Sequence, residues 1–88
     1  MFTIRINPEE SIYAEVDDER NLMMIHSTEL CVNDYFRNRG YMYMSTIYEL
    51  LGAKWNPEWE NLCRIYKEGD SIKFKLHKGP KGYEVYID

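Results

Sequence analysis

The sequence predicts an α+β fold: one long amphipathic helix and two short helices packed on short antiparallel strands, with a C-terminal β-hairpin. Three observations carry that prediction. Apolar residues alternate at period two near both ends of the chain, they recur at a period near 3.6 between Asp18 and Arg39, and glycines stand where these patterns stop. At 88 residues and 10.6 kDa there is chain for one hydrophobic core, so residues 1–88 are read as a single domain.

Phe2, Ile4 and Ile6 alternate with Thr3, Arg5 and Asn7, the pattern of a strand with one buried face. The next five residues, Asn7-Pro8-Glu9-Glu10-Ser11, have the composition of a turn. Ile12, Ala14 and Val16 then alternate with Tyr13 and Glu15, so a second strand closing an N-terminal hairpin is expected. From Asp17 or Asp18 the period changes. Met24, Ile25, Thr28, Cys31, Val32, Tyr35 and Phe36 share one stripe at about 100° per residue, which predicts a helix from Asp18 to Arg39 with that stripe inward. On this assignment Cys31→Arg should be severely destabilising. Asp17 to Glu19 supply a cap and an acidic first turn, Arg37 and Arg39 suit the carbonyl end, and Gly40 provides the left-handed stop.

Tyr41 to Met44 reads as a short strand. Ser45 or Thr46 is expected to cap a two-turn helix with Ile47, Leu50 and Leu51 on one face, Thr46 and Glu49 as a capping box, and Gly52 at its end. Asn56-Pro57-Glu58 opens a third short helix with Trp59, Leu62 and Cys63 inward. Arg64 to Tyr66 either extend that helix or begin a strand, and Lys67-Glu68-Gly69-Asp70 is a turn. Ile72, Phe74 and Leu76, then Tyr83, Val85 and Ile87, alternate with polar neighbours on either side of Gly79-Pro80-Lys81-Gly82. That is the clearest hairpin in the chain.

The longest apolar run, Leu22 to Ile25, is far short of the roughly 20 residues of a membrane span. Met1 to Ile6 carry no basic leader before an apolar stretch, and Cys31 and Cys63 sit singly in apolar patterns rather than in a disulfide array. A cytoplasmic protein with reduced thiols and no membrane association is expected. The net charge of −4 is unevenly spread: residues 1–36 carry two arginines against eight carboxylates, and residues 37–88 carry nine bases against seven acids. Two electrostatic faces are expected from that division.

Little in the sequence suggests catalysis. His26 and Cys31 lie roughly 140° apart around a helix axis, too far for a thiol–imidazole pair. The two histidines form no HxH, HxxxH or metal-spaced cysteine motif, and the acids at 17–19 lack the spacing of a calcium loop. The glycines at 40, 52, 69, 79 and 82 punctuate structure and build no phosphate loop. No enzyme activity, metal or cofactor is expected.

Two classes of binding protein compete. Leu22, Met23 and Leu30 lie off the apolar stripe of the long helix, with Met23 and Leu30 seven residues apart. They are covered by the N-terminal hairpin or exposed as an interface, for a homodimer or for another protein. Glu9, Glu10, Tyr13 and Glu15 extend the candidate surface: residues 9–19 hold six acids and no base, a pattern able to imitate phosphates toward a basic protein. Against this, the order helix, strand, helix, helix, hairpin resembles a winged helix. That resemblance implies DNA binding, with a recognition helix at Pro57 to Tyr66 offering Asn61, Arg64 and Lys67, and a wing at Gly79 to Gly82 flanked by Lys73, Lys75, His77, Lys78 and Lys81. Glu58 and Glu60 would oppose a polyanion there.

Val32 to Gly52, VNDYFRNRGYMYMSTIYELLG, carries Gly40-Tyr41 after a helix and Tyr48-Glu49-Leu50-Leu51-Gly52 at the end of the next. This segment, about a quarter of the chain, resembles a module of small uncharacterised proteins of bacteriophages and bacterial mobile elements. The resemblance brings no catalytic residues and no established activity; a non-enzymatic binding or accessory role, encoded by a phage or mobile element and acting on a host protein, is expected.

Overall fold

The computed structural model describes residues 2–54, 65–67, 69–70 and 72–87. Among them two helices and five strands follow in the order β1 (Phe2–Ile6), α1 (Asp18–Arg39), β2 (Tyr41–Tyr43), α2 (Met44–Leu50), β3 (Ile65–Lys67), β4 (Lys75–Gly79) and β5 (Gly82–Ile87). The expected third helix from Asn56, with Trp59, Leu62 and Cys63, lies outside the described residues, as do Asn61 and Arg64.

The period-two segments at the two ends of the chain meet in one antiparallel sheet of order β1-β5-β4. Its register stacks the alternation row on row: Ile4 opposes Val85, and Val85 opposes Leu76. One face is therefore apolar. The other presents Thr3, Arg5, Lys75, His77, Glu84 and Tyr86, where Tyr86 Oη donates to Glu84 Oε2 at 3.1 Å. The hairpin turn is Pro80-Lys81, closed by a Gly79–Gly82 pair. Gly82 needs its glycine: its φ is 129°, and a Cβ would stand 2.6 Å from the carbonyl oxygen of Ile6.

A second sheet pairs β2 with β3, Met42 opposite Tyr66. Both of these side chains are fully buried, whereas Tyr41, Tyr43 and Ile65 on the other face are exposed. Ile65 to Lys67 are strand, which decides the reading left open at this point and removes Ile65 and Tyr66 from any recognition helix. The wing-like hairpin exists, but β5 is the central strand of a sheet with β1 rather than part of a free wing.

α1 has the predicted bounds. Asp17 Oδ1 accepts from the Glu19 amide at 2.9 Å, and Gly40, at φ 76°, donates its amide to the Phe36 carbonyl at 2.7 Å. Its inward stripe is Asn21, Ile25, Thr28 and Val32, with Met24 and Phe36 partly buried beside it. Cys31 is exposed and Tyr35 is 37% exposed, which corrects their placement inside. The true stripe is rotated toward Leu22, Glu29 and Asn33, which are half-buried; Cys31 lies about 120° from Ile25 around the axis, too far to reach the core. Glu29 on this flank accepts from the Phe74 amide at 2.7 Å and ties α1 to the approach to β4.

α2 begins two or three residues earlier than expected, at Met44, and its N-cap is Tyr43 rather than Ser45 or Thr46, with no side-chain capping bond. Ser45 and Thr46 are thus inside the helix, and the Thr46–Glu49 capping box does not form. The helix start is fixed by burial of Met44, Ile47, Tyr48 and Leu51 instead, while Leu50 points partly to solvent. The core joins these residues to Ile4, Ile6, Ile25, Val32, Val85 and Ile87, each contributing on the order of 1.5–3 kcal/mol on full burial.

The N-terminal hairpin is absent. Residues 12–16 form no strand, Ile12 is 66% and Val16 93% exposed, and the residue that bridges is Ser11, to Ala53. Asn7 decides the course of the chain: its carbonyl oxygen accepts from Glu10 N at 3.1 Å and Ser11 N at 2.9 Å, turning the chain away from β1 and toward the end of α2.

Candidate functional site

The absent hairpin leaves a segment, residues 7–17, whose large apolar side chains are exposed although its backbone is anchored. The anchors are polar and largely buried. Asn7 Oδ1 accepts from the Glu9 and Glu10 amides at 3.0 and 3.1 Å, and its Nδ2 donates to Glu10 Oε2 at 2.7 Å. Asx turns of this kind are why asparagine before proline favours a turn. The buried Ser11 hydroxyl donates to the Leu51 carbonyl at 2.8 Å, Ile12 N donates to Gly52 O at 2.7 Å, and Lys54 N donates to Glu10 O at 3.1 Å.

The far end is clamped by Asn21, 2% exposed, whose side-chain amide accepts from Glu15 N at 2.7 Å and donates to Glu15 O at 2.8 Å. Gly52, at φ 72°, lets Tyr13 lie directly on its backbone. A rigid frame therefore holds Ile12, Tyr13 and Val16 outward among Glu9, Glu10, Glu15 and Asp17, all exposed. Backbone hydrogen bonds and side-chain exposure act together: the segment is ordered without spending its apolar surface.

Three bases reach into this acidic region. Arg5 pairs with Glu10 at 3.6 Å, Arg20 with Glu15 at 3.3 Å, and Lys78 with Asp18 at 3.5 Å. Lys81, at the hairpin tip, lines with Arg5, Glu9 and Glu84 an open groove of about 520 Å³ between the 7–10 turn and the tip.

The remaining predicted residues scatter. Met23 and Leu30 are 69% and 70% exposed on α1, so the expected hairpin cover over them is absent. The lysines proposed for DNA do not form one surface. Lys75 faces outward on β4, Lys78 shares the opposite face with Leu76 and reaches Asp18, Lys73 precedes the strand, and Lys67 lies on β3 in the other sheet. Sequence reasoning missed Ser11, Asn21 and Ile12 as site-forming residues. The signal was present in Ile12 alone, a large apolar residue inside an acidic run.

Two tyrosines are perturbed. Burial, with Tyr66 adding to it, pushes the Tyr48 phenol above its ordinary value, and the hydrogen bond to Glu84 does the same for Tyr86. Among the described residues, no cluster of His, Cys, Asp or Glu is arranged to hold a metal ion, and no helix is long and apolar enough to cross a membrane. No protein-family model matches the chain, and no curated protein or solved structure is significantly similar to it.

Proposed function

We propose that the protein is a non-enzymatic binding protein that engages another protein through residues 9–19. The observation that carries this is the exposure of Ile12, Tyr13 and Val16, at 66%, 55% and 93%, on a segment whose backbone is fixed by Asn7, Ser11 and Asn21. A preformed loop loses little conformational entropy on binding, so its apolar side chains contribute most of their transfer free energy to affinity. The flanking Glu9, Glu10, Glu15 and Asp17 favour a partner with a basic surface, and they set its approach more than its strength. The resemblance of residues 32–52 to phage and mobile-element modules supports a host protein as that partner.

The DNA-binding alternative has less support. Lys78 is paired with Asp18, and Lys75 and Lys78 lie on opposite faces of β4, so few cations can follow one phosphate backbone. The test compares the wild type with an Ile12→Asp, Val16→Asp double variant as baits. A bound protein that elutes with salt and is lost with the double variant, whose melting is unchanged, supports the proposal. A bound protein retained by both baits overturns it, as does tight duplex binding that Lys73→Glu with Lys75→Glu abolishes.

A further inference from the structure

α1 turns a second line of side chains away from the core. Arg20, Met23, Ser27, Leu30, Asp34 and Arg37 recur at alternating intervals of three and four residues, and at about 100° per residue they all lie within roughly 60° of the direction opposite Ile25. The middle of this line is apolar or small, with Met23 and Leu30 about 70% exposed, and its ends are charged.

We propose that this face of α1 is a self-association surface, on which a second copy of the chain packs its own α1 antiparallel about a twofold axis at Ser27. The charge pattern is what selects the occupant. About that axis, each residue a given number of positions before Ser27 meets the one the same number after it in the other copy. Arg20 then meets Asp34, opposite charges, and the twofold generates that pair twice. A parallel arrangement would set Arg20 against Arg20 and Asp34 against Asp34.

The helix ends agree with the antiparallel choice. The positive end of each helix dipole comes beside the negative end of the other. Between the charges, Met23 packs against Leu30 and Cys31 of the other copy, and the small Ser27 lets the helices approach closely at the crossing. Within one chain Arg20 is held by Glu15 and Asp17, and Arg37 by Asp34 at 3.6 Å, but every one of these side chains is more than half exposed. Such surface pairs are weak, so exchanging them for pairs across an interface costs little.

The proposal is independent of the loop at residues 9–19. Sedimentation equilibrium of the wild type, from about 10 μM to about 1 mM, should show a mass rising toward twice 10.6 kDa. Leu30→Glu and, separately, Met23→Glu should remain monomeric with unchanged melting, because neither side chain is part of the core. Arg20→Glu should weaken the dimer about tenfold, and adding Asp34→Arg should restore it to within about threefold. A monomer throughout the range overturns the proposal. So does a dimer indifferent to Leu30→Glu and Met23→Glu, or a double reversal no tighter than the single one.

Discussion

Gly52→Ala tests the frame of the loop at residues 7–17 most directly, with Gly40→Ala as its control. Both glycines hold left-handed backbone, at φ 72° and 76°, so both substitutions carry the steric cost of a Cβ there, about 1–2 kcal/mol. Their surroundings differ. A Cβ on Gly40 meets nothing within 4 Å, whereas one on Gly52 would stand 2.5 Å from Cδ2 of Tyr13 and 3.0 Å from its backbone nitrogen. Displacing Tyr13 strains the Ile12–Gly52 hydrogen bond beside it, and overpacking of this kind costs a further ~1–3 kcal/mol.

Gly52→Ala should therefore lose about 2–5 kcal/mol and Gly40→Ala about 1–2. With a urea m-value near 2 kcal/mol/M, the two midpoints should differ by about 1 M. Tyr13→Ala in the Gly52→Ala background should recover part of the excess, since it removes the ring and leaves the backbone contact. Equal midpoints for the two glycine variants would show that Tyr13 does not rest on Gly52, and the rigid-loop premise would fall with it.

Cys31→Arg should now lie within about 0.5 kcal/mol of wild type in urea melts, while Ile25→Ala, on the buried side of the same helix, should cost about 2–5 kcal/mol. Asp17→Ala removes the cap on Glu19 N and should cost about 1 kcal/mol, measured as loss of helical circular dichroism on heating. The Tyr48 phenol titrates above its unfolded value of 10.0, so its contribution is complete below that pH and is lost as pH rises through the folded value. Stability followed by tryptophan fluorescence should fall above about pH 10, and less steeply in Tyr48→Phe; equal slopes would contradict the burial of this side chain.

The elements that were legible in the sequence are those whose pattern and punctuation agree. β1, the C-terminal hairpin and α1 each have a clean period, and Gly82 and Gly40 mark the hairpin turn and the end of α1; the first hairpin strand, expected from Ile72, begins only at Lys75. The phase of α1 was less legible, because Met24, Cys31 and Tyr35 are as apolar in composition as the residues that are buried. What rotates the helix is polar: Asn21 is drawn inward to clamp Glu15, and Glu29 to bind the Phe74 amide. Both partners are brought there by tertiary structure. The same holds for residues 12–16, where period-two alternation is present and the strand is not. Alternation states which side chains could share a face, but the turn bonds at Asn7 and the bridge from Ser11 to Ala53 decide that no sheet edge is offered to them.

Those polar residues also explain how so small a core can leave so much apolar surface outside. Asn7, Ser11 and Asn21 are buried at 6%, 1% and 2% exposure, a costly choice unless each finds its partners, and each does. An apolar residue at any of the three positions would pack with less difficulty but would release Glu10, Leu51 or Glu15 and let the loop collapse onto Ile12 and Val16. The side chains would then be covered by the chain itself. Fixing the backbone with buried amides and a hydroxyl keeps them available, which is the property that a surface for a partner requires and that stability alone does not.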